Sequence, residues 1–396
     1  MPRASPLQGN FNGGEFSPLV HGRVEAERYK TGLATCLNYV PTVQGGLVRR
    51  PGTAFVAEVK DSTKKTRLVP FEFSVTQAYV LEFGNLYIRF YRNNGIITLT
   101  GTTITGATAA NPVVVTAVAH GLANGDRIVI TDVGGMTQLN NREFTIANVT
   151  ANTLELSGIN GTGFSAFTTG GTVAKIYEIV SPFAEANLFT LRFAQSGDVL
   201  YVVHQDYAPR KISRTGHTAW TIASVTFIDG PYLPTNTTPT TLTRSADSGS
   251  ITITASAALF VSTDVGRQVR WARDPITTNK WGYDTITAFT SSTVVTATVN
   301  RATGVSAEAS KLWRLGIYSD TTGYPSTIDF HEDRMVLAGP KASLQRIDFS
   351  STGLYEDFRP TDEGTGGTVV ASNAISVGLA TRDVNVIRWI SSDAKG

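Results

Sequence analysis

The chain has 396 residues, of which 41% are hydrophobic and 17% charged, a composition typical of a soluble globular protein with room for two or three cores. Its 34 basic and 32 acidic residues leave a formal charge of +2, which argues against a general nucleic-acid-binding protein. No apolar run reaches the ~18 residues of a membrane-spanning helix, and the N-terminus lacks the apolar core of a signal peptide, so we expect a soluble protein made in a cytoplasm.

The first expected element is an amphipathic helix at about residues 25–40. Its apolar residues recur at helical spacing: Tyr29, Leu33, Cys36, Leu37 and Val40. Cys36 is the only cysteine, which excludes an internal disulfide and a multi-cysteine metal site. Its place on the apolar face of this helix predicts a buried side chain rather than a catalytic thiol.

Most of the remaining chain predicts β-strands, because short aromatic and β-branched runs alternate with turn residues. Three segments share one pattern, in which a strand ending in an aromatic residue is followed by a polar turn, an apolar strand and a third strand. These segments are 67–92, 188–214 and 326–350, and a fourth copy is predicted to begin at VNVIRWISSDAKG, with Trp389 in the aromatic position. Such repeats are typical of a β-propeller or a related array, in which no unit buries its face alone.

Two blocks rich in small polar residues interrupt these repeats, and each contains four short strand-like runs. We interpret the blocks as small β-domains inserted into loops, where insertions are tolerated. The predicted domains are 1–99 (N-terminal segment and first repeat), 100–176 (inserted small β-barrel), 177–235 (second repeat), 236–315 (second inserted β-domain) and 316–396 (third repeat and start of a fourth). The predicted fold class is mainly β: an incomplete β-propeller-like platform of antiparallel units with an N-terminal helix and two inserted small β-domains.

One of the five histidines lies in AHGLANGDRIVIT, residues 119–131. A catalytic His120 needs an orienting acid and a nucleophile, and no activated serine or cysteine motif is nearby. Asn124, Asp126 and Asp132 lack the spacing of an EF-hand calcium loop. The glycines instead favour a tight turn between two strands, so we interpret His120 as a structural residue.

The other candidates for chemistry are equally weak. Glu332 and Asp333 are adjacent, so on a strand they would point to opposite faces and could not act as a paired acid and base. The remaining histidines lack metal-ligand spacing, and no phosphate-binding glycine loop or nucleophile elbow occurs. The sequence therefore predicts no catalytic residue, no metal site and no cofactor.

One basic cluster, formed by GGLVRRPGT and KDSTKKTR, has two interpretations. It is either a phosphate-facing surface or, as we favour, a β-turn followed by a solvated charged loop. Arginines beside a Pro-Gly turn could also bind a carboxylate on a neighbouring subunit. The candidate subunit-interface or DNA-facing residues are Arg49, Arg50, Lys64 and Lys65.

The segment LQGNFNGGEFSPLVHGRVEAERYKTGLATCLNYVPTVQGGLVRRPGTAFV resembles the N-terminus of tail proteins from short-tailed bacteriophages, called tail tubular protein B, nozzle or tail stabilisation proteins. The resemblance continues through LVPFEFSVTQAYVLEFGNLYIRFYRN and YEIVSPFAEANLFTLRFAQSGDVLYVVHQDYAPRKISRTGHTAW, and it resumes at RLGIYSDTTGYPSTIDFHEDRMVLAG and DVNVIRWI. The first insert, with AHGLANGDRIVI and LNNREFTIANVTANTLELSG, is similar to the small β-barrel known as the first catalytic cysteine half-domain of ubiquitin-activating enzymes. That likeness implies no activity, because the insert contains no cysteine.

The phage resemblance implies a non-enzymatic component of a virion tail. In that family a propeller-like platform forms a sixfold ring around a channel, which holds DNA and later conducts it. The expected partners are further copies of the chain in a homohexamer, a tail adaptor protein above, tail fibres or spikes, and DNA that passes without sequence-specific binding; no membrane span is expected.

Two alternatives to a tail ring remain. A receptor- or polysaccharide-binding tail protein would present aromatic platforms, for which Trp271 and Trp281 are candidates. A depolymerase would need paired carboxylates in a groove, for which Asp198, Glu332 and Asp333 are the acids to test.

Overall fold

The computed structural model describes residues 7–74, 77–273, 280–304, 306–361, 368–380 and 385–392. The chain divides into two compact units, Met1–Val56 and Ala57–Gly396. The structure is mainly β, with several antiparallel sheets, one of them a nearly closed barrel, and it contains no α-helix in the described ranges. None of the helical segments described is long and apolar enough to cross a membrane.

The N-terminal unit has two small sheets. Its strands are β1 (Gly14–Glu15), β2 (Gly32–Leu33), β3 (Tyr39–Pro41) and β4 (Leu47–Arg49), and its short 3-10 helices are Pro18–Val20 and Glu27–Thr31. Strand β1 pairs in parallel with β2, and β3 pairs antiparallel with β4.

The predicted helix at residues 25–40 is therefore wrong. Its helical spacing is present, but isolated helices of this length gain their stability mainly by packing an apolar face against a core. Gly45 is the only buried residue among residues 7–56, so no such core exists in this unit. Glycine at position 32 and a left-handed Asn38, with φ of 62°, further interrupt the helical path.

The expected burial of Cys36 is not found either. The residue is half-buried, its N–H donates to Glu15 Oε2 at 2.8 Å, and its Sγ lies 3.5 Å from the carbonyl oxygen of Tyr39. Cys36 is thus held in a polar turn before β3 instead of in a hydrophobic core.

The second unit contains strands β5 to β31. Before and within the first insert they are β5 (Arg67–Ser74), β6 (Gln77–Gly84), β7 (Tyr87–Arg92), β8 (Gly95–Ile96), β9 (Thr102–Thr103), β10 (Gly106–Ala107), β11 (Val113–Thr116), β12 (Arg127–Thr131), β13 (Arg142–Ala147), β14 (Thr153–Leu156) and β15 (Thr172–Lys175). The next group is β16 (Glu178–Val180), β17 (Arg192–Ser196), β18 (Val199–His204), β19 (Tyr207–Gly216) and β20 (Ala219–Ser224). The second insert and the last sheet are β21 (Leu242–Arg244), β22 (Ser250–Ala255), β23 (Gln268–Ala272), β24 (Trp281–Ser291), β25 (Val294–Arg301), β26 (Ala309–Ser310), β27 (Trp313–Leu315), β28 (Thr327–His331), β29 (Arg334–Ala338), β30 (Arg346–Phe349) and β31 (Ile375–Gly378). Short 3-10 helices lie at Thr137–Leu139, Glu185–Asn187 and Ser262–Asp264.

Three sheets correspond to the three sequence repeats. In hydrogen-bonded order, the first sheet is β16-β7-β6-β5, with β8 paired to β7; the second is β17-β18-β19-β20; the third is β28-β29-β30-β31. One hydrophobic core joins the first and second sheets, and another joins the second and third. The sheets are therefore stacked in chain order, with the second sheet in the middle.

Strand β18 shows why the middle sheet is apolar on both faces. Leu200 and Val202 enter the core shared with the first sheet, whereas Tyr201 and Val203 enter the core shared with the third. Successive side chains of a strand point to opposite faces, so a strand between two cores is apolar at every position. The run VLYVV is the sequence signature of this central position.

The first strands of the three sheets lie near one another. The Gln195 side chain on β17 bonds both backbone groups of Glu72 on β5, accepting from its N–H at 3.1 Å and donating to its carbonyl oxygen at 2.6 Å. Strand β17 in turn contacts β28. The stack is thus tied together along one edge.

The described residues contain no propeller, which corrects that part of the predicted fold class. The segment expected to begin a fourth repeat, VNVIRWISSDAKG, lies partly outside the described residues, and its described part, 385–392, forms no strand. That part is instead attached to the third sheet and its loop: Ile387 N–H donates to Leu344 O at 3.1 Å, and Ser392 N–H donates to Asp329 Oδ2 at 3.0 Å.

Both inserts contain the four strands expected of each, and they have the same strand order. The first insert runs β10-β11-β14-β13-β12-β15-β9 and the second runs β26-β21-β22-β25-β24-β23-β27, so six strands follow the same order and the seventh is added at opposite ends. Each encloses its own hydrophobic core. The two inserts thus share one strand topology; the first lies between β8 and β16 of the first sheet, and the second follows the second sheet.

Candidate functional site

The basic residues singled out in the sequence are divided between the two units. In the N-terminal unit, Arg49 is exposed on β4, opposite Tyr39. Arg50 donates twice to Asn38: its backbone N–H bonds the carbonyl oxygen at 2.8 Å and its Nε bonds the Oδ1 at 3.3 Å. Whether Arg49 contacts a neighbouring subunit or DNA stays a prediction.

In the second unit, Lys64 and Lys65 both contact Glu185. Lys64 Nζ lies 3.4 Å from Glu185 Oε2, and the backbone N–H of Lys65 donates to Glu185 Oε1 at 2.9 Å. The Lys65 backbone bond, followed by Lys64, holds the pKa of Glu185 below its ordinary value. These lysines therefore anchor their loop to the 3-10 helix Glu185–Asn187, and Lys64 is already partly neutralised within the chain.

The His120 loop has the geometry of a turn. The backbone N–H of Leu122 donates to His120 Nδ1 at 3.0 Å, and the N–H of Ala123 donates to Asp126 Oδ2 at 2.9 Å. Asp126 Oδ1 also lies 2.6 Å from Lys175 Nζ. The two side chains satisfy backbone donors that the turn leaves open between β11 and β12, which is a structural role.

The three acids considered for a depolymerase lie in turns of two different sheets. Asp198 lies between β17 and β18, whereas Glu332 and Asp333 form the turn between β28 and β29 with φ of 44° and 57°. Asp198 Oδ1 lies 4.0 Å from Arg214 Nη1. Their positions are those of hairpin turns rather than of opposed carboxylates in one groove.

The two tryptophans considered as ligand platforms lie within the second insert. Trp271 is buried in its core, with Nε1 donating to Leu242 O at 3.3 Å. Trp281 is half-buried, and the guanidinium groups of Arg270 and Arg314 each lie 5.0 Å from its ring centroid. Trp271 is thus a core residue, and the face of Trp281 is used by arginines of the same chain.

A buried ionic network that the sequence interpretation missed connects the first sheet to the first insert. Arg89 on β7 is fully buried, with Nη1 3.2 Å from Glu143 Oε2 on β13 and Nε 3.1 Å from Glu178 Oε2 on β16. Burial raises the pKa of Glu143 although Arg89 and Arg127 oppose this effect. Burial also acts to raise the pKa of Glu178, but hydrogen bonds from Lys60 and Arg89 hold it below its ordinary value. The only sign of this network in the sequence is the charged residue Arg89 within the apolar run YIRFY.

The second insert has its own buried pair. Arg244 Nη2 donates to Asp284 Oδ1 at 2.7 Å, and both side chains are buried. Burial raises the pKa of Asp284 to about 6 in spite of the Arg244 charge. Arg244 Nη1 also donates to Asp247 Oδ1 at 2.8 Å, so one guanidinium joins two acids.

A groove of about 670 Å³ lies between the edge strands β5 and β17. Two arginines line it: Arg67 Nη1 donates to the carbonyl oxygens of Leu188 and Leu191, and Arg192 Nε donates to Arg388 O at 3.1 Å. Burial and then the Arg192 charge lower the pKa of Arg67. The groove is thus a weakly basic surface where two sheets meet.

Among the residues that the structure describes, no group of His, Cys, Asp and Glu side chains is arranged to hold a metal ion. Burial lowers the pKa of His204, and its Nε2 lies 2.8 Å from Thr190 Oγ1. The described geometry therefore brings together ionic networks rather than a nucleophile with its base.

Residues 110–176 match the family model described as the ubiquitin-activating enzyme E1 FCCH domain. This match confirms the predicted likeness of the first insert, and it covers that module alone. No curated protein matches the chain. No phage tail family is found by these comparisons, so that resemblance stays a prediction.

Proposed function

We propose that this protein is a non-enzymatic structural subunit of a bacteriophage tail, built into a ring around a channel that retains DNA and later conducts it. The observation that carries the proposal is the stack of three sheets, one five-stranded and two four-stranded, tied along the edge where their first strands meet. A stack in which the central strand fills two cores is suited to a rigid wall. The sequence resemblance to nozzle proteins supports the same assignment.

In this proposal the three stacked sheets form the wall of the ring, and copies of the chain form a homohexamer in the virion tail. The adaptor protein lies above the ring, fibres or spikes contact it, and DNA passes without sequence-specific binding. The chain is made in the host cytoplasm before assembly. Its near-neutral charge suits a channel that must release DNA, because phosphate binding grows with the number of basic contacts.

The two inserts fit the outside of such a ring. Each encloses its own core and shares the strand order of the other, so each is a self-contained module added to the stack. Modules of this kind can contact fibres without altering the wall.

Quantitative mass spectrometry of purified virions tests the proposal by counting this chain relative to the portal protein. A fixed copy number half that of a twelvefold portal is the expected result. Absence from the virion, or a copy number equal to that of the fibres, would refute the ring and favour the receptor-binding alternative.

A further inference from the structure

The groove between β5 and β17 holds two positive charges that form no ion pair within the described part of the chain. Arg67 Nη1 donates to the carbonyl oxygens of Leu188 and Leu191 at 2.9 and 2.8 Å. Arg192 Nε donates to Arg388 O at 3.1 Å, so every acceptor is an uncharged carbonyl. The Arg192 charge adds to burial in lowering the pKa of Arg67. A carboxylate that binds both guanidinium groups would relieve this repulsion and accept their remaining N–H donors.

Strand β5 is an edge strand, and one of its outward peptide groups is already bound as an added strand would bind it. The Gln195 side-chain amide accepts from the Glu72 N–H at 3.1 Å and donates to the Glu72 carbonyl oxygen at 2.6 Å. The Glu72 backbone therefore points away from β6. Backbone groups alternate in direction along a strand, and β5 pairs with β6 in unbroken register from Arg67 to Glu72. The backbone groups of Leu68 and Pro70 thus point outward in the same way.

These outward groups are open. Among the residues that the structure describes, none bonds the N–H or carbonyl oxygen of Leu68 or the carbonyl oxygen of Pro70, and Leu68 is 63% exposed. Proline has no N–H to donate and is tolerated at the edges of sheets, so Pro70 agrees with an open edge. This edge of β5 therefore offers one donor and two acceptors to an extended peptide.

The groove also fits a short extended segment in size and lining. Its volume of about 670 Å³ lies within the roughly 300–1,000 Å³ typical of ligand sites, and Val69, Phe193 and Leu200 line it beside the two arginines. Arg67 and Val69 share one face of β5, because side chains two residues apart in a strand point the same way. A segment beside β5 would thus place an acidic side chain at Arg67 and, two residues along, an apolar one at Val69.

We propose that the groove binds an extended segment of a partner protein, which adds to the edge of β5 and places a carboxylate between Arg67 and Arg192. In such strand addition the main-chain hydrogen bonds supply affinity and the side-chain pockets supply specificity. Glu72 lines the other end of the groove and repels a polyanion, so a segment with a single acid is favoured over a nucleic acid. This site goes beyond the proposed tail function and does not depend on it.

Selection from a synthetic library of eight-residue peptides on the immobilised full chain tests the site without a known partner. The expected result is enrichment of peptides in which Asp or Glu lies two residues from an apolar residue. Selection on the Arg192→Gln chain should lose the preference for the acid. No enrichment, which is the result when a segment of the chain itself fills the groove, would overturn the proposal, and so would enrichment of peptides that lack an acid.

The most enriched peptide, labelled with fluorescein, is then titrated by fluorescence anisotropy. Arg192→Gln should weaken binding about tenfold, because a hydrogen bond to a charged group is lost. Replacing the acid of the peptide by its amide should have the same effect, with no further loss when the two changes are combined. The matched control is Arg210→Gln on β19, since Arg210 donates to Ser224 Oγ outside the groove, and it should leave the affinity unchanged. Equal affinity of the native and Arg192→Gln chains, both shown to fold by circular dichroism, contradicts the proposal.

Backbone methylation of the peptide separates strand addition from charge attraction alone. Alternate N–H groups of an extended peptide face the neighbouring strand, where the carbonyl oxygens of Leu68 and Pro70 would accept them. Methylating that alternating set of nitrogens should abolish binding, whereas methylating the other set should retain it. Equal effects of the two sets would show a carboxylate held by arginines alone and would refute strand addition.

Discussion

Replacing Arg89 with methionine removes the charge that joins the first sheet to the first insert. The substitution retains an unbranched apolar stem but leaves Glu143 and Glu178 without their shared partner. Breaking a buried ion pair on one side costs about 3–5 kcal/mol, because the remaining charge stays desolvated. Glu143 keeps Arg127 at 3.5 Å and Glu178 keeps Lys60, so we expect the lower end, about 3 kcal/mol.

Hydrogen exchange followed by mass spectrometry measures this loss locally, which suits a chain with several cores. Amides of β7 and β13 should exchange about a hundredfold faster in Arg89→Met, since each 1.36 kcal/mol is a factor of ten. Strand β22 of the second insert is an internal reference and should not change.

The pH dependence gives a further check on the same variant. Burial already raises the pKa of Glu143, so this carboxyl group binds its proton more tightly in the native state than in the unfolded state. Native stability therefore falls as pH rises through the raised pKa. Removing Arg89 raises that pKa further, so the defect should be smaller in acid than at neutral pH.

Two control variants complete the test. Glu143→Gln combined with Arg89→Met should cost less than the sum of the single substitutions. Arg23→Met, which breaks the exposed Arg23–Glu25 pair, should leave stability without a measurable change. Protection of β7 in Arg89→Met equal to that in the native chain would show that the network does not hold the insert to the sheet.

Three other substitutions have definite expected outcomes. Trp220→Ala removes a ring whose centroid lies within 5.3 Å of the ring centroids of Phe71, Tyr79 and Phe90. The free energy of unfolding, measured by urea denaturation, should fall by about 3–5 kcal/mol, and a loss below about 1 kcal/mol contradicts the assigned core. Because burial raises the pKa of Asp284 to about 6, the native chain loses stability between about pH 4 and 6, whereas a chain with Asp284→Asn does not. In thermal melts the difference in stability between the two chains should therefore move by up to roughly 3 kcal/mol in favour of the variant from pH 4 to pH 7, and a pH-independent difference refutes this. His120→Ala should destabilise the first insert by about 1 kcal/mol, because the hydrogen bond from the Leu122 N–H is lost. A chelator should leave the melting temperature of the native chain unchanged, and a chelator-induced shift would reveal a bound metal.

The strands were predictable because their signal is local. Alternation in RLVPFEF and SITITA, bounded by turn residues, reports one buried face and identifies β5 and β22 without knowledge of the partner strand. The same local reasoning gave the wrong answer for residues 25–40. Helical spacing there was real, but the described residues 7–56 form no core that could receive the apolar face.

The candidate site was less predictable because its contacts are remote in sequence. Glu143 lies 54 residues after Arg89, within the first insert, and Glu178 lies 89 residues after it, beyond the insert; no spacing rule connects positions so far apart. For the lysine cluster, the charge is visible in the sequence but the partner is not. Lys64 pairs with Glu185, which follows the first insert in the chain.

Strand β18 has a consequence for how the protein folds during synthesis. Leu200 and Val202 are synthesised after the strands of the first sheet, which cover them. Tyr201 and Val203 are covered by β28 and β29, which are synthesised much later. Until then one side of a fully apolar strand faces water, and such intermediates are prone to aggregate. The second insert is synthesised during this interval, so it lengthens the time for which that face lacks the third sheet.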